Sequence, residues 1–240
     1  MLLEICANSY LSAINAQTAG AHRIELCSEL ALGGVTPSAG LIKKVVSTLD
    51  IPVFVLIRPR SGDFTYTPDE FEIMLQDIAF CKSQGVQGIV SGVLHADGAI
   101  DKERTGQLIE ASQGMSFTFH RAFDWVPDVD NALDILKQLA ADRILNSGQS
   151  TSASQGIHKL IDLLTKAKDD IIILPGGGID AQNVISFKEA GFAEVHASAS
   201  ISTQGIEGPV PMQNLGSLHK HQLTYSDTEK IKGILNAINH

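Results

Sequence analysis

The sequence predicts an α/β fold, a single-domain (β/α)8 TIM barrel, and three observations predict it. Eight short runs rich in β-branched residues recur along the chain. Segments of helical length separate them. The 240 residues come close to the roughly 250 that such a barrel takes.

The first two runs cover residues 2–6 and 23–27. The third, 52–57, leads into Arg58. Pro59 keeps that exit extended, because its ring disfavours the helical region for the residue before it. The remaining runs cover 88–93, 116–121, 143–146, 171–174 and 194–197. Strands that alternate with helices pair in parallel through crossovers, and a count of eight favours a closed barrel. The helix signals agree. Thr67, Pro68 and Glu70 read as a cap, a first-turn proline and a capping-box glutamate. Phe71, Met74, Leu75 and Ile78 follow at helical spacing. Asp180 is expected to cap the seventh helix, with Gly191 past its end. Ser226 and Glu229 read as another capping box. The stripe Ile231, Ile234, Leu235 and Ile238 then gives a closing helix at about 226–238. Residues 200–225 break the repeat, being rich in Gly, Pro, Ser, Gln and His, and are expected to form a long loop over the mouth. No shift of composition divides residues 1–240.

Composition narrows the partners. A net charge of −9 without a basic stripe argues against nucleic acid. No run approaches about 18 apolar residues, so no membrane span is expected. The first residues carry Glu4 within an apolar run and no basic segment, unlike a signal peptide. Three cysteines without zinc spacing suggest free thiols in a reducing cytoplasm.

Strand alternation sorts the side chains. Leu3, Ile5, Ile24 and Leu26 must meet the helices, so Glu4, Cys6, Arg23, Glu25 and Cys27 point into the barrel. The same parity groups Phe54, Leu56, Arg58 and Arg60, then Ser116, Thr118 and His120, then Glu194, His196 and Ser198. Such an ionic interior must pair its charges or turn them to water and ligand. Arg23 is expected to pair with Glu4 or Glu25. Arg58 and Arg60 either form surface ion pairs or clamp a carboxylate or phosphate with their guanidinium forks.

The seventh run ends in Gly176, Gly177 and Gly178, just before an expected helix whose first N–H groups attract anions. Ser147, Gly148, Ser198 and Ser200 follow neighbouring strands, where barrels often hold phosphate. The candidate anion-binding set is therefore Arg58, Arg60, Arg121, Ser147, Gly148, Gly176, Gly177, Gly178, His196 and Ser198. His120 stands beside Arg121 and near Asp124, and a histidine titrates near neutral pH. The candidate catalytic set is His120, Glu25, Glu4 and Asp124. The glutamate and histidine cluster could also hold a metal, although it lacks a ligand spacing such as HxH. His219 and His221 do form an HxH and read as solvated loop residues. His22, His95 and His158 read as surface residues. Trp125 packs beneath the mouth or lines a pocket. Cys6 and Cys27 end adjacent strands at the same height. They are either two small buried apolar groups or a two-coordinate Cu(I) site. Cys81 reads as a packing residue.

Several of these segments resemble the CutC family. They are Leu3-Glu4-Ile5-Cys6, Arg23-Ile24-Glu25-Leu26-Cys27, Gly33-Gly34-Val35-Thr36-Pro37-Ser38 and Arg58-Pro59-Arg60-Ser61-Gly62-Asp63-Phe64. Gly92-Val93-Leu94, Thr118-Phe119-His120-Arg121-Ala122-Phe123-Asp124 and Ser147-Gly148-Gln149 continue the match in order. Asn146 stands where the family pattern has threonine. The resemblance implies a cytoplasmic barrel of copper homeostasis, with Cys6 and Cys27 as the residues for Cu(I). The residues themselves also support an enzyme of isomerase or lyase type acting on a small phosphorylated or carboxylated metabolite. The expected partner is thus a copper ion or a small anionic ligand, and a homo-oligomer is compatible with either reading.

Overall fold

The computed structural model describes residues 1–206 and 222–239. Eight strands form one parallel sheet: β1 (Leu2–Ala7), β2 (Arg23–Leu26), β3 (Val53–Leu56), β4 (Gly88–Ser91), β5 (Ser116–Phe119), β6 (Arg143–Asn146), β7 (Ile172–Pro175) and β8 (Glu194–Ala197). Their spatial order is β7-β6-β5-β4-β3-β2-β1-β8. A parallel bridge between Gly176 and His196 brings the two ends together, so the sheet is a nearly closed barrel. The helices between them are α1 (Tyr10–Ala19), α2 (Ala39–Val46), α3 (Pro68–Ser83), α4 (Lys102–Ala111), α5 (Val129–Gln138), α6 (Ile157–Ala167) and α7 (Val184–Glu189), and α8 (Thr228–Asn239) follows the last strand. None of the described helices is long and apolar enough to cross a membrane.

Alternation along each strand divides the apolar residues into two cores. Leu3, Ile5, Ile24, Leu26, Val53, Val55, Phe117, Phe119 and Val195 face the helices in the large outer core. Cys6, Cys27, Phe54, Leu56 and Val90 form a small separate cluster within the barrel. Each fully buried aliphatic or aromatic side chain of the outer core contributes about 1.5–3 kcal/mol, which is what lets the barrel carry an ionic interior.

The helix ends show how local signals fared. Thr67 and Glu70 make the expected reciprocal capping box on α3. Asp180 does not cap α7. Its carboxylate accepts from Gln182 N and Asn183 N, which closes a turn, and α7 starts only at Val184. The glycines 176–178 therefore do not open directly into a helix. At α8 the cap is Asp227, which accepts from Lys230 N. The Ser226 hydroxyl is drawn away to the Cys6 carbonyl, while Glu229 pairs with Lys232.

The segment expected as a loop over 200–225 carries two strands at its ends. β9 (Ser200–Gln204) and β10 (Gln222–Ser226) pair antiparallel. This ladder returns the chain to α1, where the Ser12 hydroxyl accepts from Ser226 N. His219 and His221 lie outside the described residues.

Candidate functional site

The barrel interior holds two polar layers. The lower one is set by register, because Glu4 lies level with both Arg23 and His196. Arg23 Nε donates to Glu4 Oε2 at 2.5 Å, and Arg23 Nη2 donates to Glu194 Oε2 at 2.6 Å. Arg143 Nε donates to the same Glu194 oxygen at 2.9 Å. Both guanidinium groups lie over the Phe54 ring, at 4.6 and 5.4 Å from its centroid. Arg23 thus bridges Glu4 and Glu194, and Glu25 is not its hydrogen-bond partner. Burial pushes the Glu4 carboxyl up, yet Arg23 and His196 outweigh it and hold Glu4 at about 2. Fully buried and bonded to Arg23 and His196, Glu4 belongs to the floor and does not line the cavity.

Above this floor, Cys6, Glu25, Leu56, Arg58, His120, Arg121, Leu145, His196, Ser198 and other residues line a cavity of about 380 Å³. His196 joins the layers. Its Nδ1 lies 2.8 Å from Glu4 Oε1 and 3.8 Å from Glu25 Oε2. Burial lowers its pKa, but the Cys6 hydrogen bond and the two carboxylates raise it well above the ordinary histidine value. Glu25 Oε2 is buried without a hydrogen-bond partner. Burial pushes Glu25 up to about 7, with Glu4 adding to it and His196 and Arg23 opposing it. One oxygen or nitrogen from each of Glu4, Glu25 and His196 falls within 4.8 Å of the others, which is metal-site spacing that no linear motif displays.

His120 follows β5 directly and lines the cavity. Ala122 N–H donates to His120 Nδ1 at 3.3 Å, and Nε2 is buried with no partner. Burial, helped by Arg58, lowers its pKa to about 3, so the ring is neutral at neutral pH. A ring held neutral is suited to donate a hydrogen bond, a different role from the expected proton exchange.

The arginine clamp does not form. Alternation past residue 56 puts Arg58 and Arg60 together, but β3 stops at Leu56 and the turn parts them. Arg58 stays buried and spends Nη1 on the carbonyls of Leu32 and Gly34 and Nη2 on that of Gly62. Arg60 turns outward to Glu70, Asp63 and the Thr65 carbonyl, and it does not line the cavity. Asp124 is likewise occupied, accepting from Arg121 Nε, Ser147 N and Gln149 N. These bonds tie Asp124 to Arg121 and to the loop after β6. Arg121 Nη2 reaches Ser147 Oγ, and Arg121 lines the cavity beside Gly177 and Gly178.

Ser147, Gly148 and Gly176 do not line the cavity. A Cβ on Gly148 would meet the Gly156 carbonyl oxygen at 2.4 Å, so this glycine permits two backbones to touch. Gly176 completes the barrel through its bridge to His196. Gly177, Gly178, His196 and Ser198 do line it, and Ser200 joins them. The sequence reading missed Phe64 and Leu145 as lining residues and Arg143 as a floor residue. Arg143 shares strand parity with Leu145, which was an available signal. Phe64 sits in a loop, where no periodicity aims a side chain. Trp125 neither packs beneath the mouth nor lines the cavity; it is 58% exposed and meets Phe64 edge-on.

The sulfurs of Cys6 and Cys27 lie 3.7 Å apart, both buried, with Cys6 on the cavity. They are not level. Cys6 pairs with Glu25, so Cys27 stands two residues higher, just past the end of β2, and the side chains meet diagonally. The hydrogen bond with Cys27, together with burial, pushes the Cys6 thiol well above its ordinary value. Cys81 is fully buried on α3, as expected of a packing residue.

The model of the CutC family matches residues 1–201. A family protein CutC from Glaesserella parasuis serovar 5 is 42% identical over 240 residues, covering 99% of both chains. A human copper homeostasis protein cutC homolog is 43% identical over 242 residues, covering 99% of this chain and 88% of its own. The crystal structure of a protein described as copper homeostasis protein CutC from Streptococcus agalactiae superposes with a TM-score of 0.79 at 36% identity, over 82% of this chain and 98% of that one. The 3-hexulose-6-phosphate synthase of Salmonella typhimurium shares the fold, with a TM-score of 0.63 at 16% identity over 100% of this chain and 99% of that one.

Proposed function

Because the chain belongs to the CutC family, we propose that it is a cytoplasmic copper-homeostasis protein that binds Cu(I) between Cys6 and Cys27. The observation that carries this reading is the 3.7 Å approach of two buried sulfurs. Soft thiolates select Cu(I) over harder ions. Binding displaces thiol protons, so affinity rises with pH. Competition titration against a Cu(I) chelator tests the site. The Cys6→Ser, Cys27→Ser double variant is expected to lose most of the affinity, because a hydroxyl is a poor ligand for a soft ion. Unchanged affinity in that variant removes the site.

A second reading is favoured by a separate observation: Glu25 Oε2 and His120 Nε2 are buried without partners in residues that line one cavity. Under it the chain is an isomerase or lyase acting on a small phosphorylated or carboxylated metabolite. Arg121, Gly177, Gly178 and Ser198 would hold the anionic group, and Glu25 would move a proton. A ligand that binds only the folded state raises the melting temperature. Phosphate, sulfate or a sugar phosphate is therefore expected to stabilise the wild type, and Arg121→Ala to lose that shift, since a charge-assisted hydrogen bond contributes about 1.5–3 kcal/mol. Equal stabilisation of both proteins counts against this reading.

A further inference from the structure

Two hydrogen-bond donors of the mouth have no acceptor among the described residues. They are His120 Nε2 and Arg58 Nε. Both residues are 4% exposed, both line the cavity, and both flank the Phe64 ring, whose centroid lies 4.8 Å from that of His120 and 4.9 Å from the Arg58 guanidinium carbon.

Their surroundings fix what each can offer. Ala122 N–H donates to His120 Nδ1, so in the neutral ring that nitrogen carries no proton and Nε2 carries it. The ring cannot move freely. Phe64 packs on it, and a Cβ added to Gly92 would come within 2.9 Å of it. Arg58 has committed Nη1 and Nη2 to three loop carbonyls. A guanidinium does not deprotonate in proteins, so Nε is a permanent N–H. An unmet buried donor costs stability. Fixed donors around one cavity, shielded from water, are the arrangement that stabilises a developing oxyanion. Burial and the neighbouring Arg58 keep the imidazole neutral, and a neutral imidazole can polarise a carbonyl without giving up its proton.

We propose that His120 Nε2–H and Arg58 Nε–H form a cradle for a substrate oxygen, and that the substrate class is a small carbonyl compound with an acidic C–H beside the carbonyl. The proposal rests on the enzymatic reading above. In the step, the C–H bond breaks and its proton passes to the Glu25 carboxylate. The electron pair forms a carbon–carbon double bond as the carbonyl oxygen becomes an enolate held by the two donors. Return of the proton to the same carbon regenerates the carbonyl compound, so the step exchanges that C–H proton and consumes no other reactant.

Oxalate, a planar dianion shaped like an enolate, is the probe. Its affinity is measured by calorimetry for the wild type, His120→Leu and His120→Gln. His120→Leu removes the donor and is expected to weaken binding by about tenfold or more, as the loss of a hydrogen bond to a charged group requires. His120→Gln restores an amide N–H near the Nε2 position and is expected to recover most of that loss. Nitrogen NMR of the wild type covers the case in which His120→Leu does not fold. The Nε2 proton is expected to move downfield with oxalate while Nδ1 stays unprotonated. Equal oxalate affinity in wild type and folded His120→Leu overturns the cradle, as does a doubly protonated ring in the complex or a failure of the wild type to bind oxalate. A separate arm follows deuterium uptake at carbon in pyruvate and dihydroxyacetone phosphate. Uptake supports the step. Its absence, with the oxalate discrimination intact, overturns the enzymatic reading and leaves a binding site alone.

Discussion

The floor and the mouth of this barrel use the same kinds of residue and meet their charges differently. On the floor, Glu4 and Glu194 share Arg23, Arg143 joins them, and Phe54 packs under both cations. Among the buried side-chain atoms of this group, Arg143 Nη1 alone lacks a partner. At the mouth, Glu25, His120 and Arg58 are as buried as the floor residues, yet each leaves a polar atom unmet. Paired buried charges hold a structure together, and unpaired ones cost stability unless a ligand meets them. The contrast separates groups that build the barrel from groups that await something in it.

The largest expected effect breaks the floor. Arg23→Met leaves two carboxylates buried without their shared cation, and the stability measured by urea denaturation is expected to fall by about 3–5 kcal/mol. A loss below about 1 kcal/mol would mean that the floor network does not carry the barrel.

A change of opposite sign is expected at the mouth. The Glu25 carboxyl titrates near 7 when folded, against an ordinary 4.5. The folded state therefore holds a proton that the unfolded chain releases between those values. The associated stability is full below pH 4.5 and is lost as the pH rises through 7. Glu25→Gln cannot lose a proton, so it is expected to be more stable than the wild type by ~3 kcal/mol at pH 8, with no gain at pH 4. Denaturation midpoints of both proteins at the two pH values check this. A destabilised Glu25→Gln at pH 8 would place Glu25 with the paired groups and erase the contrast.

Arg60 gives the smallest effect and sharpens the boundary of the site. Its ion pairs are at the surface, so Arg60→Ala is expected to change stability by less than about 1 kcal/mol. It should also leave the anion-dependent thermal shift unchanged. A lost shift would return Arg60 to the mouth.

Much of this was legible because period-two alternation needs only the strands. It turns Glu4, Cys6, Glu25 and Cys27 inward together with Phe54, Leu56, His120 and His196, and the inner cluster, the cavity lining and the bonds of Glu4 to Arg23 and His196 agree. It fails where the strand ends. Arg60 follows the parity of Arg58 only on paper, since β3 stops at Leu56 and the turn through Gly62, with φ of +94°, sends the two arginines apart. The expected cap at Ser226 failed for a related reason. Ser226 has the right residue type for a cap, but the ladder of β9 and β10 delivers its hydroxyl to the Cys6 carbonyl.

The sequence by itself determined the eight strands, the face each residue takes within them and the membership of a family, because these depend on local order along the chain. Only the tertiary structure decided height and partnership. It set Cys27 two residues above Cys6, gave Arg23 to Glu194 rather than Glu25, and tied Asp124 to Arg121. The physical reason is that closing the barrel staggers neighbouring strands. Which side chains stand level inside it is then a property of the whole sheet, and no single strand encodes it.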